Sequence, residues 1–151
     1  MKKVSIYLSG SIRGKDAHEV IRMFHDTKLY IEEECEKSDI HATVYSPVRG
    51  KQVCEQKGTW EPNYTLKEVI ARDEADIRKS DVLLILTGDN VSDGTWLEFG
   101  LAHYECKIPV LMVAPKRKSG EIPMSWSGEK VTFMGDTLED CVKWLIDYWM
   151  V

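Results

Sequence analysis

Short apolar runs alternate along the chain with longer segments in which apolar residues recur at helical spacing. Residues 82–86 (VLLIL) are apolar throughout, which is typical of a strand in the middle of a parallel sheet. The runs that predict strands are residues 4–8, 42–45, 82–86, 108–114 and 131–133. The segments that predict helices are residues 16–37, 65–79, 95–106 and 137–149. Strands and helices therefore alternate over most of the chain.

This alternation predicts a single domain over residues 1–151 with a three-layer α/β fold. We expect a doubly wound, five-stranded and mostly parallel sheet of the flavodoxin or Rossmann type, with helices on both faces. Residues 47–64 contain prolines and glycines without a clear period and predict a long loop. Ligands of such sheets bind beyond the carboxyl ends of the strands, so the residues that follow strands are the candidates for function.

Composition and charge narrow the range of partners. The 151 residues are 43% hydrophobic and 30% charged, which is ordinary for a globular protein in water. A formal net charge of −5 argues against polymeric nucleic acid as a partner. The four cysteines lack metal-ligand spacing, and no apolar run approaches the ~20 residues of a membrane span. With no signal-peptide pattern, we expect a cytoplasmic protein with reduced thiols and no metal.

A loop of small residues follows the first predicted strand. Its residues are Gly10, Ser11, Ile12, Arg13 and Gly14. Small residues let the backbone approach an anion, the following helix N-terminus favours negative charge, and Arg13 adds a bidentate donor. The spacing fits an ordinary strand-to-helix turn with an exposed arginine equally well.

The segment after the central strand carries a carboxylate, Glu98, at the start of the predicted helix. Thr95-x-x-Glu98 matches a capping box, in which Glu98 would only bind a backbone N–H, and spacing alone favours that interpretation. The alternative is a nucleophile, because a helix N-terminus keeps a neighbouring carboxylate ionised.

Two further residues have both a structural and a functional interpretation. Asp73 shares a helical stripe with apolar residues at 66, 69, 70 and 77, so it faces the core side and needs a partner or a role. A salt bridge to a buried arginine would satisfy it. Asp76 is expected on the solvated face. Tyr7 either orients a carboxylate at the end of its strand or packs in the core.

Three segments in this order resemble the nucleoside 2-deoxyribosyltransferase superfamily: residues 6–14, 73–81 and 92–102. Within it, the Gly-Ser-Ile-Arg-Gly loop is most similar to that of the 2'-deoxynucleoside 5'-phosphate N-hydrolases. The Ser-x-Gly-Thr-x-x-Glu run also resembles the cytidylate hydrolases of nucleoside-antibiotic pathways. The resemblance covers about the first 115 residues apart from 47–64.

The resemblance implies a role for each matching position. Glu98 would attack C1' of the sugar, Tyr7 would orient it, and Asp73 would help to protonate the leaving base. The 5'-phosphate would bind the loop Gly10, Ser11, Ile12, Arg13 and Gly14 together with Ser92. Asp93 and Gly94 would also belong to the substrate-binding residues. A neighbouring subunit would add Ser125, or Ser127 if the register differs.

Two departures from the family pattern bear on the substrate. The transferases usually have an aspartate where Ser92 stands, which favours a phosphate site here. Trp96 is bulkier than its counterpart in the deoxynucleotide hydrolases, so the sugar could be ribose or deoxyribose.

The function that this resemblance implies is hydrolysis of a nucleoside 5'-monophosphate to free base and (deoxy)ribose 5-phosphate, without any cofactor. The alternatives are a nucleoside 2-deoxyribosyltransferase, which exchanges bases, and a non-catalytic nucleotide-binding module. The expected partner is a small nucleotide or nucleoside, and the expected assembly is a homodimer or a higher homo-oligomer.

Overall fold

The computed structural model of the protein describes residues 1–10, 16–48, 53–54, 59–60, 65–88, 91–114 and 130–151. The strands are β1 (Lys2–Gly10), β2 (Ile40–Tyr45), β3 (Val53–Cys54), β4 (Thr59–Trp60), β5 (Val82–Leu86), β6 (Val110–Val113) and β7 (Phe133–Gly135). The helices are α1 (Ala17–Lys37), α2 (Leu66–Arg78), α3 (Asp93–Gly100) and α4 (Leu138–Trp149). A π-helical segment, Leu101–Cys106, continues α3.

The main sheet has five strands in the order β2-β1-β5-β6-β7. Every neighbouring pair in it is parallel, with β1 between β2 on one side and β5 on the other. The chain runs from β1 outward to β2 and then returns to β5, so the order switches between β1 and β5. The predicted doubly wound α/β fold is confirmed, and its switch point is the expected place for a ligand.

Helices cover both faces of the sheet, and alternating residues of β1 belong to different cores. Val4, Ile6 and Leu8 pack in the core that α1 and α4 cover. Tyr7 packs in the second core, which α2, α3 and the π-helical segment cover. Because side chains alternate along a strand, Ser9 lies on the same face as Tyr7.

Side-chain caps explain where the helices begin. Asp16, Thr65 and Thr137 each accept a hydrogen bond from the backbone N–H three residues later, in α1, α2 and α4 respectively. Such caps satisfy N–H groups that the first helical turn leaves without partners. The helices predicted from residues 16, 65 and 137 therefore begin within one residue of their predicted starts.

The segment between β2 and α2 differs from its prediction. Val53 pairs with Trp60 and Cys54 with Thr59, so β3 and β4 form a short antiparallel hairpin. The prediction of an irregular loop over 47–64 is wrong at these residues, and most of the remaining loop lies outside the described residues.

The buried face of α2 is also rotated relative to the predicted stripe. Ile70 is 48% exposed, whereas Asp76 is only 1% exposed and lies next to the buried Ile77. The expectation that Asp76 faces solvent is wrong. Its carboxylate is 3.4 Å from Lys79 Nζ, and this ion pair offsets part of the cost of its burial.

No helix in the described part of the chain has the length and apolarity that crossing a bilayer requires.

Candidate active site

The candidate site lies at the switch point, where the carboxyl ends of β1 and β5 meet the start of α3. Gly10 ends β1 and pairs with Leu86 at the end of β5. A Cβ atom at Gly10 would lie 3.2 Å from the Leu86 carbonyl oxygen and 3.2 Å from Phe24 Cζ. Glycine therefore lets β1, β5 and α1 approach closely here. The next four residues of the predicted phosphate loop, Ser11, Ile12, Arg13 and Gly14, lie outside the described residues.

Helix α3 begins two residues earlier than predicted, and this changes the position of Glu98. Ser92 is the N-cap, and its Oγ accepts a hydrogen bond of 3.3 Å from the backbone N–H of Thr95. Thr95 is the third residue of the helix and is buried. Glu98 is therefore the sixth helical residue, in the second turn. The interpretations of Thr95-x-x-Glu98 as a capping box and of Glu98 as a first-turn residue are both wrong.

Glu98 instead forms a hydrogen bond with a residue of β1. Its half-buried side chain accepts a hydrogen bond from Ser9, with 2.9 Å between Ser9 Oγ and Glu98 Oε1. Ser9 itself is fully buried. This contact was missed in the sequence, although a serine two residues after Tyr7 and next to Gly10 has the position required to face the same site.

Tyr7 brings a buried hydroxyl to the same place. The whole residue is 0% exposed, and among the described residues its Oη has no hydrogen-bond partner of ordinary geometry. Burial raises the pKa of Tyr7 well above its usual range, and the charges of Glu98 and then Asp73 raise it further. Glu98 also raises that pKa as a hydrogen-bond acceptor, so its carboxylate is near Oη although the bond is not well formed. Tyr7 is thus a protonated donor beside a carboxylate.

Asp73, on α2, is the third residue of the candidate site. Its Oδ1 lies 3.3 Å from a terminal nitrogen of Arg72, and both side chains are largely buried. The same nitrogen of Arg72 donates a hydrogen bond of 3.2 Å to the Pro47 carbonyl oxygen. The arginine partner considered for Asp73 therefore exists, and it connects α2 with the segment after β2. The charge of Asp73 raises the pKa of Tyr7, and the charge of Asp76 does so to a smaller extent, so α2 places negative charge near this hydroxyl.

The structure thus brings Tyr7, Asp73 and Glu98 together with Ser9 at one edge of the sheet. Ser92, Asp93 and Gly94 lie at the start of the helix that carries Glu98. Asp93 and Gly94 are exposed, and the nearest heavy atom to a Cβ at Gly94 would be Ser92 Oγ at 3.9 Å, so packing does not require glycine there. Ser125 and Ser127 lie outside the described residues.

Two other features of the site are the packing of Trp96 and the lack of a metal-ligand cluster among the described residues. Trp96 is partly buried and packs edge-on against Phe99, with 5.9 Å between ring centroids. Over the described ranges, no three histidine, cysteine, aspartate or glutamate side chains are grouped so that they could hold a metal ion. The polar groups described at the site are the carboxylates of Asp73 and Glu98 and the hydroxyls of Tyr7 and Ser9.

Comparison with known proteins finds similar proteins by structure and none by sequence. No protein-family model matches the chain, and no curated protein matches it. A conserved protein from Enterococcus faecalis V583 superposes with a TM-score of 0.67 at 14% identity, covering 97% of this chain and 98% of its own.

Two of the similar structures are enzymes named for nucleoside or nucleotide chemistry. A 2-deoxyribosyltransferase from Bacillus psychrosaccharolyticus has a TM-score of 0.62 at 20% identity, covering 90% of this chain and 88% of its own. The CMP N-glycosidase BcmB from Clostridium botulinum has a TM-score of 0.56 at 12% identity, covering 95% and 98%. These superpositions show a common fold, and this chain therefore has the fold of the nucleoside 2-deoxyribosyltransferase-like proteins.

Proposed function

We propose that the protein is a nucleoside 5'-monophosphate N-glycosidase with Glu98 as its nucleophile. It hydrolyses the bond between base and sugar and releases free base and (deoxy)ribose 5-phosphate. The observation that carries the proposal is the Glu98 carboxylate, which accepts a hydrogen bond from Ser9 and lies beside the buried hydroxyl of Tyr7. A carboxylate held this way at the switch point of the sheet has no capping role that would explain it.

The proposed reaction has two displacements at C1' of the sugar. In the first, a carboxylate oxygen of Glu98 bonds to C1', and the electron pair of the C1'–N bond leaves with the base, which takes a proton. In the second, water bonds to C1', the ester bond to Glu98 breaks, and Glu98 recovers its negative charge while the water gives up a proton. Splitting one difficult step into two easier ones is the advantage of a covalent intermediate.

Each remaining side chain of the site has a part in this scheme. Tyr7 orients Glu98, since its hydroxyl stays protonated and is available as a donor. Asp73 takes up a proton from solvent and passes it to the leaving base, directly or through a water molecule. General acid catalysis of this kind contributes about 10²- to 10⁴-fold to a rate.

The phosphate specificity rests on the loop of residues 10–14 and on the start of α3. Arg13 would bind the 5'-phosphate in a bidentate manner. Ser92 Oγ accepts the N–H of Thr95 and lies 3.0 Å from Thr95 Oγ1. If the Thr95 hydroxyl donates the hydrogen bond to Ser92 Oγ, the hydroxyl proton of Ser92 remains available for a phosphate oxygen. Binding energy from this remote group would fix the sugar for attack.

A nucleoside 2-deoxyribosyltransferase is the second candidate. Two of the similar structures, from Bacillus psychrosaccharolyticus and Leishmania mexicana, are named as deoxyribosyltransferases. The first displacement would be the same, and a second base would replace water in the other. We further propose that the protein is a cytoplasmic homodimer or a higher homo-oligomer in which Ser125 of one subunit reaches the phosphate of the other.

A substrate panel tests the function. Purified protein is incubated with nucleosides and with their 5'-monophosphates, with and without an added second base, and free base is measured by chromatography. We expect base release from monophosphates alone, loss of at least about 10³-fold in Glu98→Gln, and weaker substrate binding in Arg13→Ala. Glu105→Gln is the matched control, because Glu105 is an exposed carboxylate that pairs with Arg78.

Other outcomes of the panel contradict the proposal. Turnover of nucleosides only when a second base is present would replace the hydrolase with the transferase. Full activity in Glu98→Gln, or the same loss in Glu105→Gln, would remove Glu98 from the chemistry.

A further inference from the structure

Ser9 has no role in the scheme above beyond its contact with Glu98, and its placement suggests one. It belongs to β1, which pairs with β2 on one side and β5 on the other. Ser9 itself pairs with Ile85, and its side chain is 0% exposed. A short side chain on a strand in the middle of the sheet has little freedom to move, so its hydroxyl is a fixed donor.

The acceptor of this hydrogen bond is a carboxylate on a longer side chain. Glu98 has three side-chain torsions and reaches the site from the second turn of α3. The bond of 2.9 Å from Ser9 Oγ to Oε1 connects residues 89 positions apart in the sequence. It therefore selects one rotamer of Glu98 and fixes the plane of its carboxylate relative to β1 and β5.

We propose that Ser9 is a positioning residue that holds Glu98 for attack and then stabilises its carboxylate as the glycosyl-enzyme ester breaks. This inference rests on the function proposed above. A hydrogen bond to an ionised acceptor is about twice as strong as one to a neutral acceptor. The bond from Ser9 is therefore weaker while Glu98 is an ester and strengthens as the C1'–O bond breaks and the electron pair returns to Glu98.

Loss of this bond has a specific kinetic consequence. In Ser9→Ala, the first displacement suffers because Glu98 is less well oriented, and the second suffers because the leaving carboxylate has lost a donor. We expect kcat to fall by about 10- to 100-fold, as for loss of one charged hydrogen bond. Because the second step is slowed directly, covalent glycosyl-enzyme accumulates and KM falls or stays unchanged.

The experiment measures kcat, KM and covalent occupancy in wild type, Ser9→Ala, Ser9→Thr and Ser80→Ala. The substrate is the monophosphate that the panel identifies, and occupancy is read by mass spectrometry of acid-quenched intact protein. Ser80→Ala is the matched control, because Ser80 is buried and its hydroxyl donates a 2.7 Å hydrogen bond to the Asp76 carbonyl oxygen, away from Glu98. Ser9→Thr restores a hydroxyl and should recover most of the rate.

A fall in kcat with increased covalent occupancy in Ser9→Ala alone supports the proposal. Equal effects of Ser9→Ala and Ser80→Ala, or a lower kcat without any change in KM or covalent occupancy, overturn it. If Ser9→Ala does not unfold cooperatively on heating, Ser9→Cys takes its place, because its thiol keeps the volume and is only a weak donor.

The failure of this inference and the failure of the proposed function give different results. If wild type releases base and Glu98→Gln does not, while Ser9→Ala behaves as wild type, only the inference about Ser9 is wrong. If wild type releases no base, the proposed function fails. Crystal structures of wild type and Ser9→Ala then decide whether Ser9 positions Glu98. A changed Glu98 rotamer in Ser9→Ala supports this part, and an unchanged one overturns it.

Discussion

Ser92 Oγ accepts a hydrogen bond of 3.3 Å from the backbone N–H of Thr95, so Ser92 and not Thr95 is the N-cap of α3. Because the helix therefore begins earlier than predicted, Glu98 lies in its second turn and not in its first. A glutamate in the second turn cannot return to the N-cap as a capping box requires. A capping box, which the spacing favoured, therefore does not explain Glu98. Its hydrogen bond with Ser9 needs another explanation.

The capping role of Ser92 predicts a loss of stability on substitution. Ser92→Ala should lower the free energy of unfolding by about 1 kcal/mol, because the N–H of Thr95 loses its acceptor. Ser92→Asp should retain most of the stability, since aspartate caps equally well. Urea unfolding followed by circular dichroism measures both. Glu98→Gln keeps the acceptor for Ser9 and should unfold like wild type. The assignment of the cap is wrong if Glu98→Gln is the destabilised variant and Ser92→Ala is not.

The buried hydroxyl of Tyr7 predicts opposite effects on stability and activity. Tyr7→Phe removes a buried polar group that has no well-formed partner among the described residues, so the free energy of unfolding should be unchanged or higher. Base release should fall by about 10- to 100-fold, because Glu98 loses a donor.

Chemical denaturation and initial rates on the same preparations make the comparison for Tyr7→Phe. A variant that is less stable than wild type by more than about 1 kcal/mol would mean that the hydroxyl has a structural partner. Unchanged base release would mean that Tyr7 only fills the core.

The two aspartates of α2 should respond differently to substitution. Asp73 is partly exposed and pairs with Arg72, whereas Asp76 is buried and pairs with Lys79. The charges of both raise the pKa of Tyr7, and that of Asp73 does so more strongly. Asp73→Asn should lower kcat by about 10²-fold or more, as for loss of a general acid, with little change in stability. Asp76→Ala should cost about 1–3 kcal/mol of stability, because the groups that bind a buried carboxylate lose their acceptor.

Urea unfolding and steady-state rates of both aspartate variants distinguish the roles, with kcat expressed per folded protein. Asp76→Ala should then retain nearly the wild-type kcat. The assignment is reversed if Asp76→Ala is stable and inactive while Asp73→Asn is unstable and active.

The fold could be predicted because strand ends are easy to locate in this sequence, whereas the grouping of Tyr7, Asp73 and Glu98 was implied only by the family resemblance. Apolar runs mark the strands, and parallel strands bring their carboxyl ends to one edge. The buried face of α2 was harder, since its few apolar residues fit two stripes that differ by a small rotation. Tertiary packing buries the face of the helix that contains Asp76 and leaves Ile70 exposed. The contact between Ser9 and Glu98 had no local signal, because its partners come from different elements.

The buried thiols of Cys35 and Cys141 predict how stability depends on pH. Both lie in the core between the sheet, α1 and α4. Burial raises the pKa of Cys35 to about 11, with a smaller contribution from the charge of Glu34. Burial also raises the pKa of Cys141 to about 11, although a backbone hydrogen bond from Gly135 opposes the effect.

In the unfolded chain these thiols ionise near their ordinary pKa of about 8.5. Between that pH and about 11, the unfolded state therefore binds fewer protons than the folded state. The free energy of unfolding should be constant with respect to these groups below pH 8 and should fall steadily as the pH rises from about 9 to 11. Urea unfolding at half-unit intervals of pH, under reducing conditions, measures the slope.

Substitution of the thiols tests their part in this slope. The double variant Cys35→Ala, Cys141→Ala should be less stable than wild type at neutral pH, since it leaves space in the core. Its stability should nevertheless fall less steeply between pH 9 and 11. Cys106→Ala is the control, because Cys106 is a partly exposed cysteine outside this core. If the double variant and wild type lose stability in parallel over this range, other groups cause the alkaline loss, and the two thiols ionise alike in the folded and unfolded protein.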